Sequence, residues 1–448
     1  MNNLMPPENA AVSPPPPPVV APPVVCWVGL DWADKKHCLA VRTVPTGPAQ
    51  IQTVDHTPAA LDDFFLRLRA QHPEGRIAVG IEQSRGPVLY ALLKYDFLLI
   101  YPINPRCLSD YRNAFKASRA KNDPSDADLL GEIPALHPDR LRPLEVEEPI
   151  TRQLRLLVEA RRQFVADQTQ ASNRLRATLK CYYPLALDLF GEDLITPMTL
   201  EFLRRWPNLA KVKATKPGVL RAFFYRHNSR SEEKIEQRLQ AVLQARPLTE
   251  DAALLQPFQF QMERLLATVR TVQQTIDQYD ARIRQVFATH QDAALFQDLP
   301  GAGPVLAPRL AAAFGTRRAN FPLAQNVLCF SGIAPVQKQS GTQNLIHFRY
   351  ARPLFLHQTF VEFAKCSILK CDWARLLYEH ELKEGSAKWA ALRKVAFKWI
   401  RILWRCWHDG KAYDETTYLR SLQRHGVKLY ESLYAQLPPL PQPTVNNS

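Results

Sequence analysis

The pattern of apolar and polar positions divides this 448-residue chain into two regimes. Over its first third, short apolar runs alternate with helix-like stretches. "VVCWVGLDWADKKHCLAVRTV" reads as a strand ending at Gly29-Leu30-Asp31, a turn, and a second β-rich run from His37 to Val44. "RIAVGIE" (76–82) is another strand, followed by helix-like "GPVLYALLKY", the strand "FLLIYPI" (97–103) and a helix from about Asn104. This alternation predicts an α/β layer fold around a mostly buried sheet, over residues 24–145.

From Thr151 the period changes. Leu154, Val158, Val165, Leu175, Leu179 and Tyr182 fall on one seam of a long helix, with polar gaps at Arg161, Gln168 and Ser172. A second seam alternates spacings of four and three throughout: Phe258, Met262, Leu265, Val269, Val272, Ile276, Tyr279, Ile283 and Val286. The expectation is a helical coiled-coil region over 150–290, its helices paired with each other or with another subunit. Between the seams, Arg204 to Arg238 carries ten Lys/Arg against three Glu, interleaved with Trp206, Phe223, Phe224 and Tyr225. That insert suits a surface contacting a nucleic-acid backbone, and a solvated basic face explains it nearly as well.

A mainly α C-terminal unit is expected over 291–425. It opens at "LFQDLPGAGPVLAPRLAAAFG", where Pro300-Gly301-Ala302-Gly303 lies between helical stretches. The stretch resembles the hairpin of a helix-hairpin-helix, whose amides at Gly301 and Gly303 could hold a DNA phosphate. A plain helix-helix turn is the alternative. "AKWAALRKVAFKWIRILWRCW" is a long helix bearing Arg393, Lys394, Lys398, Arg401 and Arg405, with aromatics expected to pack a core.

Composition narrows the classes. A formal net charge of +14, from 57 Lys+Arg against 43 Asp+Glu, suggests a polyanionic partner, nucleic acid first. The eight cysteines are scattered without a C-x-x-C pair, so no zinc site is proposed, and reduced, mostly buried thiols of a cytoplasmic protein are expected. Residues 1–23 hold nine prolines and no Lys or Arg, which fits a disordered tail rather than a signal peptide; 437–448 reads as a second such tail. No apolar run approaches the ~20 residues that would cross a bilayer, so no membrane partner is expected.

Against the basic balance, "KNDPSDAD" (121–128) concentrates three aspartates. Asp123 can cap a helix with Pro124 at its first position, placing Asp126 one turn later on the same face. An ordinary helix start explains this by itself. Asp31 and Glu82, however, each end a predicted strand, where open α/β sheets place ligand sites. Four such acids brought together would suit hard Mg²⁺ ions, which need clustered oxygen ligands.

These motifs resemble those of the insertion sequence one-ten family of DEDD-type transposases, from Val24 to Leu419. "VGLDWADKKH" looks like its first Asp motif, "VGIE" its Glu motif and "KNDPSDADLL" its K-x-D-x-x-D-A motif; "LPGAGPVLAPRL", "FSGIAPVQKQSG" and "DGKAYDETTY" resemble its C-terminal half. The resemblance implies an RNase H-like, RuvC-like N-terminal domain and a serine transposase domain. It also implies an Mg²⁺-binding catalytic tetrad of Asp31, Glu82, Asp123 and Asp126, with Lys121 in the same motif, and Ser340 as nucleophile. Asp34 and Asp128 fall outside the pattern. Ser331, between Phe330 and "GIAP", is the nearest rival to Ser340 and reads as a packed turn. The implied activity is DNA strand cleavage and exchange at element ends and target, guided by a bridge RNA, in a homo-oligomer, dimer or tetramer. Two departures from the commoner pattern stand out. "GTQNLIHFRYARP" after Ser340 offers only Arg349 and Arg352 as phosphate contacts, and "QSRGPVLY" after Glu82 brings in Arg85. The competing functions are a RuvC-type nuclease using activated water and a catalytically silent nucleic-acid-binding protein.

Overall fold

The structure, a computed structural model, describes residues 22–424 apart from 83–85, 116–121, 342 and 351. The expectations of disorder for 1–21 and 437–448, and the contacts assigned to Arg85 and Lys121, lie outside the described residues. The chain divides into two units, one ending at Val146 and one beginning at Glu147.

In the first unit β1 (Val24–Asp31), β2 (Lys36–Arg42) and β3 (Gln50–Asp55) form an antiparallel meander. α1 (Pro58–Gln71) starts where Thr57 accepts the Ala60 amide and Pro58 fixes the first turn. β4 (Arg76–Ile81) returns parallel to β1, and after α2 (Pro87–Leu92), β5 (Leu98–Pro102) adds parallel to β4, giving the order β3-β2-β1-β4-β5. α3 (Pro105–Phe115) and α4 (Asp123–Leu136) complete the unit.

The central strands β1 and β4 are buried on both sides, as their near-continuous apolar runs require. Cys26, Val28 and Leu30 of β1 and Ile77, Val79 and Ile81 of β4 pack with Leu61, Phe64, Phe65 and Leu68 of α1. On the opposite face Ala78 and Tyr101 meet Leu108 of α3 and Leu129, Leu130 and Ile133 of α4. There the helix lies almost on the strand backbone. A Cβ built on Gly29 would stand 1.7 Å from the Ala127 carbonyl oxygen, and one on Gly80 1.9 Å from that of Leu130. Only glycine allows this approach.

In the second unit α5 (Pro149–Tyr182) leads into five shorter helices, α6 to α10, at Leu185–Phe190, Pro197–Arg205, Leu209–Lys213, Pro217–Arg226 and Glu232–Gln244. α11 (Ala252–Ala288) then runs back antiparallel to α5. Tyr182 stacks on Phe258 at one end, and Thr151 meets His290, just past α11, at the other. Two apolar cores sit at the ends of this hairpin: Leu175, Leu179, Met262 and Val269 join α6 to α10, while Leu154, Val158, Ile283 and Val286 join the C-terminal helices. Between them polar pairs flank a Phe164–Tyr279 ring contact, with Arg161 on Asp280 at 2.6 and 2.9 Å and Gln168 on Gln273 at 2.6 Å. The gaps read at Arg161 and Gln168 are thus paired positions that fix the register of the two helices.

The insert corrects one reading. Trp206, Phe223 and Phe224 are buried in its core and leave only Tyr225 of the four aromatics at the surface. A subdomain of short helices has few residues with which to make a core, and its aromatics are the largest available.

The C-terminal helices are α12 (Ala293–Phe296), α13 (Gly303–Phe314), α14 (Ala324–Phe330), α15 (Leu354–Ser367), α16 (Asp372–Lys383), α17 (Lys388–Asp409) and α18 (Glu415–Arg424), with a hairpin of β6 (Val336–Ser340) and β7 (Gln343–His347) after α14. Trp399 and Trp407 of α17 are fully buried. Gly301, with φ of +84°, packs its Cα against the backbone of Cys366 and Ser367, where a Cβ would come within 2.7 Å. This close helix contact accounts for Gly301 without a ligand; Gly303 faces open space. The thiols are also less buried than expected: all eight are free, but only Cys26 and Cys371 are buried, and Cys107 and Cys181 are exposed.

Candidate active site

Asp31 is the last residue of β1, and the parallel register sets Leu30 beside Ile81, so Glu82 follows β4 at the same level. Adjacent strands lie about 4.8 Å apart, so the two acids start from neighbouring positions at the carboxyl edge of the sheet. Each stands two residues after a helix-facing glycine, Gly29 or Gly80. Since strand side chains alternate, Asp31 is directed to the face covered by α4. The same glycines therefore bring α4 down beside the acids.

The start of α4 differs from expectation by one residue. Asn122, not Asp123, is the cap: its side-chain oxygen accepts the Ser125 amide at 2.8 Å. Asp123 is the first helical residue and is exposed, and Asp126 keeps its place one turn later. Both aspartates also strengthen the helix start by facing the positive end of its dipole. Cys38 lies opposite Asp31 in the β1–β2 pairing. Its thiol is pushed up by burial and then by the charges of Asp31 and Asp123.

Asp126 is held differently. It is 4% exposed, and Arg112 of α3, 8% exposed, directs Nε and Nη2 onto its Oδ1 at 2.8 and 2.5 Å. Asp128, outside the family motif, is paired with Arg42, whose guanidinium also reaches Glu132 at 3.4 Å. Asp34 is exposed. Among the described residues no group of three or more His, Cys, Asp or Glu side chains is gathered closely enough to hold a metal ion. The structure thus sets Asp31 and Glu82 at neighbouring strand ends, with Asp123 at the start of α4 and Asp126 in an ion pair with Arg112.

The turn after Asp31 is fixed by a histidine relay. The Ala33 amide donates to Nδ1 of buried His37 at 3.2 Å, so Nε2 carries the proton and donates to Nδ1 of His56 at 2.9 Å. Burial, then the neighbouring His56, lowers the His37 pKa and keeps the ring neutral.

In the second unit Ser340 ends β6, opposite Gln343; its side chain is outside the described residues. Ser331 is fully buried and donates to the Leu328 carbonyl at 3.3 Å, a packed turn as read from its neighbours. Arg349 and Arg352 follow β7, Arg352 with its guanidinium 4.0 Å from the centre of the Phe348 ring.

Residues 28–184 match the family model of the IS110 DEDD transposases, described as "Transposase", and residues 293–379 match that of the "Transposase IS116/IS110/IS902 family". The chain belongs to the IS110 family of transposases. The Streptomyces coelicolor protein named "Mini-circle putative transposase for IS117" is 26% identical over 394 residues, 86% of this chain and 95% of that protein. The "Insertion element IS116 uncharacterized 44.8 kDa protein" of Streptomyces clavuligerus is 24% identical over 86% of this chain and 96% of its own length. For the "Insertion element IS900 uncharacterized 42 kDa protein" of Mycobacterium paratuberculosis the figures are 24%, 87% and 98%. The transposase is thus an enzyme acting on DNA, with a DEDD-type, RuvC-like α/β unit followed by a mostly helical remainder. No described helix is long and apolar enough to cross a membrane.

The sequence offered a signal for the packing that builds this edge: a glycine two residues before the acid in both "VGLD" and "VGIE". It offered none for Arg112, whose partner lies fourteen positions away on another helix.

Proposed function

We propose that the transposase cuts and exchanges DNA strands through Ser340, assisted by divalent metal bound at Asp31, Glu82, Asp123 and Asp126. The observation that supports this best is the matched register of Asp31 and Glu82 on adjacent parallel strands, with Asp123 at the start of α4. Carboxylate oxygens are the donors hard cations take, and Mg²⁺ fits this set best. Asp31, Glu82 and Asp123 would form the first contacts, and Asp126 would join on exchanging Arg112 for the ion. A bound Mg²⁺ would polarise the phosphodiester and offset its charge.

In this reading the Ser340 hydroxyl attacks phosphorus. The Ser340 Oγ–P bond forms as the P–O3′ bond breaks, and the hydroxyl proton ends on the released 3′ oxygen. A serine hydroxyl is a weak nucleophile and needs this activation. The domain boundaries that go with it are 24–145 for the RuvC-like part, 150–290 for the helical hairpin, with coiled-coil packing, and 291–425 for the serine part. The basic surfaces would take DNA and a bridge RNA that selects element ends and target, within a homo-oligomer in the cytoplasm.

The test mixes purified protein, Mg²⁺, the flanking transcript and labelled junction DNA, and looks for a covalent protein–DNA adduct on denaturing gels. The expected adduct is present in wild type and absent in Ser340→Ala and Asp31→Ala. Nicked DNA without adduct, persisting in Ser340→Ala, would leave a RuvC-type nuclease using water.

A further inference from the structure

Two guanidiniums and a histidine meet at the open end of the β6–β7 hairpin without a carboxylate among them. Arg352 and, from α17, Arg393 both lie on the Phe348 ring, with guanidinium carbons 4.0 and 5.0 Å from its centre. His357 of α15 stands edge-on to the same ring at 5.6 Å, its Nδ1 3.3 Å from the Ser331 carbonyl oxygen. Arg349 comes next to Phe348 in the chain, and its carbonyl accepts Nη1 of Arg352 at 2.5 Å. The Nε atoms of Arg349 and Arg352 are both buried without a partner. Among the described residues, neither they nor Arg393 makes an ion pair. By contrast, the deeply buried guanidiniums of Arg42, Arg112 and Arg309 each have an acid.

Like charges held together in partial burial, with donors unpaired, are costly unless an anion joins them. Burial and the charge of Arg393 lower the Arg352 pKa, and burial with Arg352 and Arg393 lowers that of His357, which places all three within one field. Guanidiniums locked on an aromatic face present a fork suited to phosphate oxygens. Position adds the register. His347 pairs with Val336 and Gln343 with Ser340, so the cluster begins one residue beyond the end of the hairpin remote from Ser340. Four strand residues span about 13 Å, and one DNA strand offers a phosphate every ~3.4 Å of axis.

We propose that Arg352 and Arg393, with Arg349 and His357 beside them, seat one backbone phosphate of DNA at the open end of the β6–β7 hairpin. That phosphate lies a few nucleotides from the one presented to the hairpin tip. Its offset from the cleaved bond rests on the serine reading; the seat itself does not. Such a contact fixes the register of the strand without reading its sequence.

The test is the salt dependence of binding of a fluorescent element-end DNA duplex to the full chain, followed by anisotropy. Each phosphate contact contributes about −0.9 to the slope of log K against log salt. Arg393→Gln is expected to make the slope shallower by about 0.9, and Arg393→Lys to keep most of it. Arg352→Gln gives a second reading at the other guanidinium on the Phe348 ring; circular dichroism checks that both variants are folded. Folded variants that keep the wild-type slope would overturn the seat, as would a slope change seen with the RNA transcript and not with DNA. Ser340→Ala keeps the wild-type slope, so an adduct persisting in that variant removes the serine mechanism and leaves the phosphate seat standing.

Discussion

Arg112 lays Nε and Nη2 on a single oxygen of Asp126, at 2.8 and 2.5 Å, and both residues are buried between α3, α4 and the sheet. The pair supplies the positive charge that a buried carboxylate requires. It also gives the two helices one fixed polar contact in an otherwise apolar layer.

Removing one member of such a pair leaves the other charge buried alone, at a cost of about 3–5 kcal/mol. Arg112→Met is therefore expected to lower the urea stability of the metal-free protein by about that amount. Magnesium should restore part of the loss, because the exposed demand of Asp126 for a cation can then be met by the ion. Urea titrations with EDTA and with Mg²⁺ measure both effects. If Mg²⁺ stabilises the variant no more than wild type, Asp126 is a packing residue and not a ligand.

A second prediction concerns the glycines that seat α4. Gly80→Ala would drive a methyl to 1.9 Å from the Leu130 carbonyl oxygen, so the helix must move away from β4. Overpacking of this kind against backbone is expected to cost about 3 kcal/mol or more, and to carry Asp123 and Asp126 away from Asp31. Gly218→Ala is the control. It sits in α9 with open space around it and should be neutral or slightly stabilising. A Gly80→Ala protein with wild-type stability and DNA cleavage would show that the close helix–sheet contact does not position the site.

The insert yields a third. Phe224 is fully buried and meets Phe202 and Phe223, whereas Tyr225 beside it is 41% exposed. Phe224→Ala should destabilise the protein by about 3–5 kcal/mol, and Tyr225→Ala by under about 0.5 kcal/mol. Chemical denaturation distinguishes them. Equal, small effects would return the aromatics to the surface.

What could be read in advance follows from how local each signal is. The strands ending at Asp31 and at Glu82 carry their own apolar runs, and their parallel pairing follows from the helix between them. The α5–α11 pairing was legible because its seams repeat over many turns. β3 was missed: Gln50, Gln52 and Thr53 are polar and exposed at the edge of the sheet, so no apolar pattern marks it. The insert misled because interleaved aromatic and basic residues look alike in sequence whether the rings face a core or a solvent. Arg112–Asp126 and the Phe348 cluster were invisible for a different reason. Each joins residues whose proximity is created only by tertiary packing, and no spacing rule connects Arg393 to Arg352.

The last prediction is a pH dependence at that cluster. The His357 pKa falls from its usual 6.5 to about 4, through burial first and then the charge of Arg352. The native ring is therefore neutral between these values, while the unfolded chain takes up a proton. Stability from this group is fully present above about pH 6.5 and is lost as pH falls toward 4, because the unfolded state then binds more protons than the native one. The residue is only partly buried, which screens the effect, so about 1–2 kcal/mol is expected rather than the full linkage value. His37 and His290 are shifted in the same direction by burial, so the comparison must be between wild type and His357→Asn across pH 4–7. The variant should lose less stability on acidification than wild type. DNA should reduce the difference, since a phosphate between Arg352 and Arg393 would favour the protonated ring. Parallel pH curves for the two proteins would show that His357 does not feel the cluster's charge.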